Sequence, residues 1–165
     1  MKLKGKKALV TGASAGIGRA IAYAYAQEGA DVAIHYHSSA AAAEELKAQV
    51  EKEFGTKAIC IKADLADDEA VTNMVATTMQ ELGGVDILVC CAGIDQKISV
   101  PDMTMDDFDR MVRVDLRSIV LCNKLVLPHM LEKGFGRIIN VTSQLGQIGG
   151  IDTAAYSAAI AGVIA

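Results

Sequence analysis

The sequence has no excess of positive charge. Sixteen Lys and Arg stand against twenty Asp and Glu, for a formal net charge of −4, and the basic residues are scattered rather than gathered into a stripe. Nucleic acid is therefore not expected as a partner, nor is an anionic membrane surface. Long hydrophobic runs are missing too, and no stretch approaches the ~20 apolar residues of a membrane span. The N-terminal MKLKGKK passes directly into a short strand-like segment instead of an apolar signal core, so a cytoplasmic location is expected. Cysteine is sparse. Cys60, Cys90, Cys91 and Cys122 lie in apolar segments with neither a CxxC pair nor the spacing of a zinc site, and read as reduced core residues. His35 and His37 alternate along a strand-like segment and so share a face, but no third ligand stands near them, and no metal is expected.

What is present suits a single folded unit. At 165 residues and 52% hydrophobic, the chain can build one domain with a substantial core, and residues 1–165 are taken as that domain. Two periodicities take turns along it. KKALVT (6–11) is a short apolar run, and 16–28 is an alanine-rich helix ended by Gly29; DVAIHYH (31–37) is strand-like, and 40–54 is helical up to Gly55. TKAICIKAD (56–64) leads to a helix over 67–82, VDILVCCAG (85–93) to a long helix over roughly 105–132, and RIINVTS (137–143) to a glycine-bearing loop and the closing AAYSAAIAGVIA. Strands apolar almost throughout, alternating with helices, predict a parallel sheet covered on both faces. The expected fold class is a doubly wound, Rossmann-like α/β domain with strand order 3-2-1-4-5. Ligands of such a sheet bind beyond the carboxyl ends of strands 1 and 4, where the order reverses.

The segment at that reversal is LVTGASAGIGRA (9–20). Gly12, Gly16 and Gly18 stand between a strand and a helix, where a chain without Cβ atoms turns tightly and free N–H groups at a helix start can meet a pyrophosphate. The spacing differs from the common G-x-G-x-x-G fingerprint, and no GK[ST] follows as in a P-loop. A glycine-rich turn without a ligand is the alternative.

TGASAGIG resembles the TGxxxGxG motif of the short-chain dehydrogenase/reductase family, classical type, whose members bind NAD(H) or NADP(H) and interconvert alcohols and carbonyls. Other motifs follow in register. Asp64-Leu65 after the third strand is similar to the family's adenine-side pair, and Cys91-Ala92-Gly93 after the fourth resembles Asn-Ala-Gly. Val114-Asp115 in the long helix resembles Val-Asn, Ser143 ends the fifth strand, and Tyr156 follows thirteen residues on. The pattern is most similar to 3-oxoacyl-acyl-carrier-protein reductases and related glucose or alcohol dehydrogenases.

The resemblance implies catalytic roles for Ser143, as hydrogen-bond donor to the carbonyl, and Tyr156, as proton donor. It implies cofactor contacts from Gly12, Ser14, Ala15, Gly16, Ile17, Gly18, Tyr36, Asp64, Leu65, Cys91, Ala92, Gly93 and Tyr156. Three positions depart from the family's pattern. Ile160 stands where a lysine four residues after the tyrosine would favour the phenolate and hold the nicotinamide ribose. Asp115 replaces an asparagine, exchanging an amide donor for an acceptor and adding negative charge. Cys91 replaces the asparagine before Ala-Gly, a milder change.

At the end of strand 2 an acidic residue would select NAD. HYHSS instead puts Tyr36 at that position, flanked by His35 and His37 and by the hydroxyls of Ser38 and Ser39, which favours NADP, with NAD as the alternative; these are otherwise ordinary solvated loop residues. Ala15 holds a position where NADP-using relatives often carry arginine. Family members usually continue with further strands and helices, so the chain reads as truncated at its C-terminus, with RIINVTS an apolar edge. If the chain is complete, a homo-oligomer is implied. The leading expectation is an NADP-preferring reductase acting on a small carbonyl or alcohol, such as a 3-oxoacyl thioester, ketone or sugar. Its rival is a nucleotide-binding fragment or degenerate paralogue, catalytically impaired by Ile160. A methyltransferase of similar topology is disfavoured because no acidic residue follows strand 2.

Overall fold

Each expected apolar run forms a strand: β1 Lys7–Val10, β2 Asp31–Tyr36, β3 Ala58–Lys62, β4 Ile87–Cys90 and β5 Arg137–Asn140. In the computed structural model, which describes residues 1–165, all neighbouring strands pair in parallel in the order β3-β2-β1-β4-β5. Leu9 at the centre lies opposite Ala33 on one side and Leu88 on the other. The helices are α1 Gly16–Gln27, α2 Ala40–Phe54, α3 Asp68–Leu82, α4 Met105–Val112, α5 Ser118–Lys133, α6 Leu145–Ile148 and α7 Ala154–Ile164.

Side chains alternate across the sheet and build two cores. On one face Val10, Val32 and Ile34 meet α1 and α2 through Ala22, Ala26, Leu46 and Val50. On the other, Leu9, Ala33 and Leu88 meet α3 and α5 through Val71, Met74, Val126 and Met130. Being apolar on both sides, the strands show no in-out polarity pattern, as a doubly covered parallel sheet requires. The helix starts are local in origin. Asp67 accepts from the Glu69 and Ala70 N–H groups to cap α3, and Thr104 with Asp107 forms a capping box on α4.

One expectation is corrected here. The helix over 105–132 is not uniform: a turn of π-helix, Arg113–Arg117, joins α4 to α5. The apolar periodicity runs through it unbroken, so nothing in the pattern marks the inserted residue. The turn carries Asp115 into the interior, and π turns of this kind often accompany functional sites. His35 and His37 both line the crevice beyond the sheet, His35 within β2 and His37 just past its end at Tyr36. His35 is buried, whereas His37 lies beyond the strand and is exposed. All four cysteines are free thiols, Cys90 and Cys122 buried and the other two half-buried. No helix is long and apolar enough to cross a membrane.

At the other end of the sheet a buried carboxylate ties three strands together. Asp86, fully buried, accepts the Lys7 N–H on Oδ2 at 3.0 Å and pairs with Lys133 at the end of α5; its backbone bonds to Lys7 and Arg137. Burial pushes its pKa upward, but the Lys133 ammonium and the Lys7 amide outweigh that and hold it below the usual carboxylate range. A depressed folded-state pKa stabilises above the ordinary carboxylate pKa and ceases to do so as pH falls through the folded value. Lys133→Met should therefore destabilise the fold by on the order of 2 kcal/mol near neutral pH, less than for a fully buried pair because the lysine is partly solvated. Urea unfolding at neutral and acidic pH checks this, with the deficit shrinking in acid.

Candidate active site

β1 and β4 lie side by side, and the chains leaving them go to opposite faces, which opens a crevice at their carboxyl ends. The turn from β1 into α1 is pressed against the end of β4. Gly12 has φ +67°, and a Cβ there would lie 2.9 Å from Ala92 Cα; at Gly18 it would meet the Gly12 carbonyl oxygen at 2.4 Å. No other residue fits either position without moving backbone. The Thr11 hydroxyl accepts from the N–H groups of Cys91 and Ala92 at 3.0 and 3.1 Å, locking the two strand ends together. No side chain caps α1 and its first turn holds no acidic residue. Its free N–H groups therefore face the crevice as an anion cradle.

A cavity of about 570 Å³ occupies the crevice, a size suited to a small-molecule or cofactor site. At one end are Gly12, Ser14, Ala15, Ile17 and Gly18 of the turn; beside them come His37, Ser38, Ser39, Asp64 and Leu65. Cys91, Ala92 and Gly93 form the wall next to β4, and Ser143, Tyr156, Ile160 and Asp115 close the far end. Residues far apart in sequence that were expected to act together thus line one space. Two expected contacts do not. Gly16, at φ +53°, shapes the turn without lining the cavity. Tyr36 packs against the α1 and α2 core, because strand alternation puts it on the same face as Ile34; His37, past the strand end, takes the place by the cavity.

Arg110, on α4, also lines the cavity and was not among the sequence-based candidates. Its Nη1 lies 3.6 Å from Asp64 Oδ2, and His37 Nε2 lies 3.8 Å from the same oxygen. Asp64 is held below the usual carboxylate range chiefly by the Ala66 N–H, with burial opposing and Arg110 and His37 assisting. Nothing local in the sequence marks Arg110, since an arginine on an exposed helix face is the commonest kind.

At the far end, Ser143 Oγ accepts from the Leu145 N–H at 3.2 Å, while Tyr156 sits half-buried in α7 one turn before Ile160. Ile160 is 5% exposed and packs where a Cβ on Gly146 would meet its Cγ2 at 2.7 Å. Asp115 is 0% exposed; Oδ1 accepts the Ile94 N–H at 2.8 Å, and Oδ2 has no partner. Burial, opposed by the Ile94 amide and assisted by Asp95, raises its pKa to about 6. No cation offsets that charge, the lysine position being aliphatic.

The family model for short chain dehydrogenase matches residues 6–165. The chain belongs to the short chain dehydrogenase family. It is 39% identical over 162 residues to a 3-oxoacyl-[acyl-carrier-protein] reductase of Synechocystis, covering 98% of this chain and 65% of that protein. It is 43% identical over 143 residues to general stress protein 39 of Bacillus subtilis, covering 86% and 49%. A short chain dehydrogenase of Burkholderia cenocepacia, solved in complex with NADP, superposes with a TM-score of 0.92 at 39% identity, over 99% of this chain and 66% of that one. The chain thus spans less than two thirds of the length of these relatives.

The Asp115 carboxyl makes a pH-dependent statement about stability. A raised folded-state pKa means that the unfolded chain ionises first, so native stability falls as pH rises from the ordinary value of 3.8 to about 6, then stays lower. Asp115→Asn, which keeps an acceptor for the Ile94 amide, should raise stability above this window by on the order of 2 kcal/mol and leave it nearly unchanged at pH ~4. Thermal melts of both proteins at pH ~4 and ~8 measure the difference.

Proposed function

We propose that the cavity receives NADP(H), with NAD(H) as the weaker ligand, and that the protein reduces a small carbonyl compound or oxidises the corresponding alcohol. The observation that carries this reading is one space joining an uncapped helix start behind a close-packed glycine turn to a serine and a tyrosine. A pyrophosphate fits the free N–H groups of α1, and Leu65 and the Asp64 backbone suit an adenine. His37, Ser38 and Ser39, with no carboxylate among them, suit a 2′-phosphate better than a 2′-hydroxyl. The NADP complex of the Burkholderia relative supports the same choice.

When bound, the nucleotide supplies or accepts the hydride. Ser143 donates its hydroxyl hydrogen to the carbonyl oxygen, and the Tyr156 hydroxyl delivers the proton to that oxygen as it gains charge. Similarity to the Synechocystis 3-oxoacyl-[acyl-carrier-protein] reductase favours a 3-oxoacyl thioester as substrate class, with simple ketones and sugars as alternatives. A homo-oligomer of the full-length protein belongs to the same reading.

A specific observation favours a second reading, nucleotide binding with impaired catalysis. Ile160 and Asp115 line the same cavity as Tyr156, so the tyrosine gains no cationic support there and shares the space with a carboxylate that has one oxygen unpartnered. Measuring NADPH oxidation with 3-oxoacyl thioesters and ketones separates the two. Turnover by the unaltered protein is expected, at a rate that Ile160→Lys raises by on the order of 10²-fold. No turnover before the substitution and recovery after it would establish the second reading, and no NADPH binding by either protein would overturn both.

A further inference from the structure

His35 is held at both ring nitrogens and is 2% exposed. The Gly12 N–H donates to Nδ1 at 3.0 Å, and Nε2 lies 3.1 Å from the Ala63 carbonyl oxygen. A carbonyl only accepts, so Nε2 carries the hydrogen, Nδ1 is bare, and the ring is neutral in one tautomer. The backbone oxygen of the same residue accepts the Ala13 N–H at 2.9 Å. His35 thus grips two consecutive amides of the glycine turn and ties them to the residue preceding Asp64. Gly12 is the pivot of that turn, touching Ala92 on one side and Gly18 on the other.

We propose that His35 is a positioning residue for the glycine-rich turn, and that acid releases the turn by protonating the ring, so that nucleotide affinity falls with pH through His35. This rests on the nucleotide-binding reading above. Protonation puts a hydrogen on Nδ1, where it faces the Gly12 N–H donor to donor. The bond is lost and its two groups repel.

The surroundings determine where the change falls. The turn contributes no titratable group, and α3 covers this face of the sheet with Val71, Met74 and Val75, all apolar. Along β2 and beyond β3 stand His37 and Asp64, the latter bridged to His37 and Arg110. Burial disfavours the imidazolium and lowers its pKa below the ordinary 6.5, with the Ala63 carbonyl opposing and His37 assisting. The ring is therefore neutral at neutral pH, and acid is required to charge it.

NADP⁺ affinity, measured by calorimetry from about pH 5 to about pH 8 for the unaltered protein, His35→Asn and His35→Leu, tests the assignment. The asparagine oxygen can take the place of Nδ1 as an acceptor that does not titrate here, and the 2′-phosphate's own ionisation is common to all three proteins. The expected result is a ratio of affinities, unaltered over Asn variant, that falls as the pH is lowered from 8 to 5, with the Leu variant about tenfold weaker than the Asn variant throughout. Parallel pH curves for the unaltered and Asn proteins would overturn the proposal even if the Leu variant failed to fold. Nitrogen NMR of the His35 ring is read without nucleotide: a neutral Nε2–H tautomer at pH 6.5 supports the latch, and a charged ring or an Nδ1–H tautomer overturns it. Absence of NADP⁺ binding at every pH, with the neutral tautomer observed, would overturn the nucleotide reading and the affinity claim while leaving the ring's hold on the turn established.

Discussion

The site depends on how closely two strand ends can approach each other. Gly12 leaves β1 in a left-handed conformation so close to Ala92 beyond β4 that a side chain would not fit between them, and Gly18 lies against the Gly12 carbonyl. Thr11 closes the remaining gap by accepting from both the Cys91 and Ala92 amides. From this contact follow the entry angle of α1, the exposure of its first N–H groups and the depth of the crevice. A side chain at Gly12 or Gly18 would push the helix start away from β4 and remove the anion cradle and the cavity together.

The other end of the cavity is organised differently. Its polar groups are held by backbone amides, Ile94 N–H for Asp115 and Leu145 N–H for Ser143, and not by one another. The π turn between α4 and α5 brings Asp115 inward, and without a cation at position 160 the carboxyl stays poorly solvated and hard to ionise. Where the resemblance leads one to expect an asparagine and a lysine, the cavity here holds an acid that resists charging and an aliphatic side chain. The two substitutions together leave less net positive charge at the site than either would alone.

Much of the architecture was legible in advance because it follows from local physics. Apolar runs of strand length separated by helical periods ended by Gly29, Gly55 and Gly83 admit few arrangements, and the parallel order is the one that right-handed crossovers allow. The glycine spacing and the Ser143 to Tyr156 interval likewise located the crevice and both of its ends. What escaped did so for identifiable reasons. The π turn leaves the apolar pattern intact; Tyr36 falls on the Ile34 face of β2 by strand alternation, which leaves His37 to line the cavity; Arg110 reaches Asp64 across a gap of 46 positions that no local rule spans.

By itself the sequence determined the sheet, the handedness of its connections and the chemistry available at the crevice, since these depend on residue period, backbone sterics and residue type. Only the tertiary structure decided which groups are charged and which are held. It buries Asp115 with one oxygen unpartnered, seals Ile160 against Gly146, and sets the His35 ring between Gly12 and Ala63. Desolvation and hydrogen-bond direction govern those states, and both arise from neighbours that are distant in the chain and become adjacent only on folding.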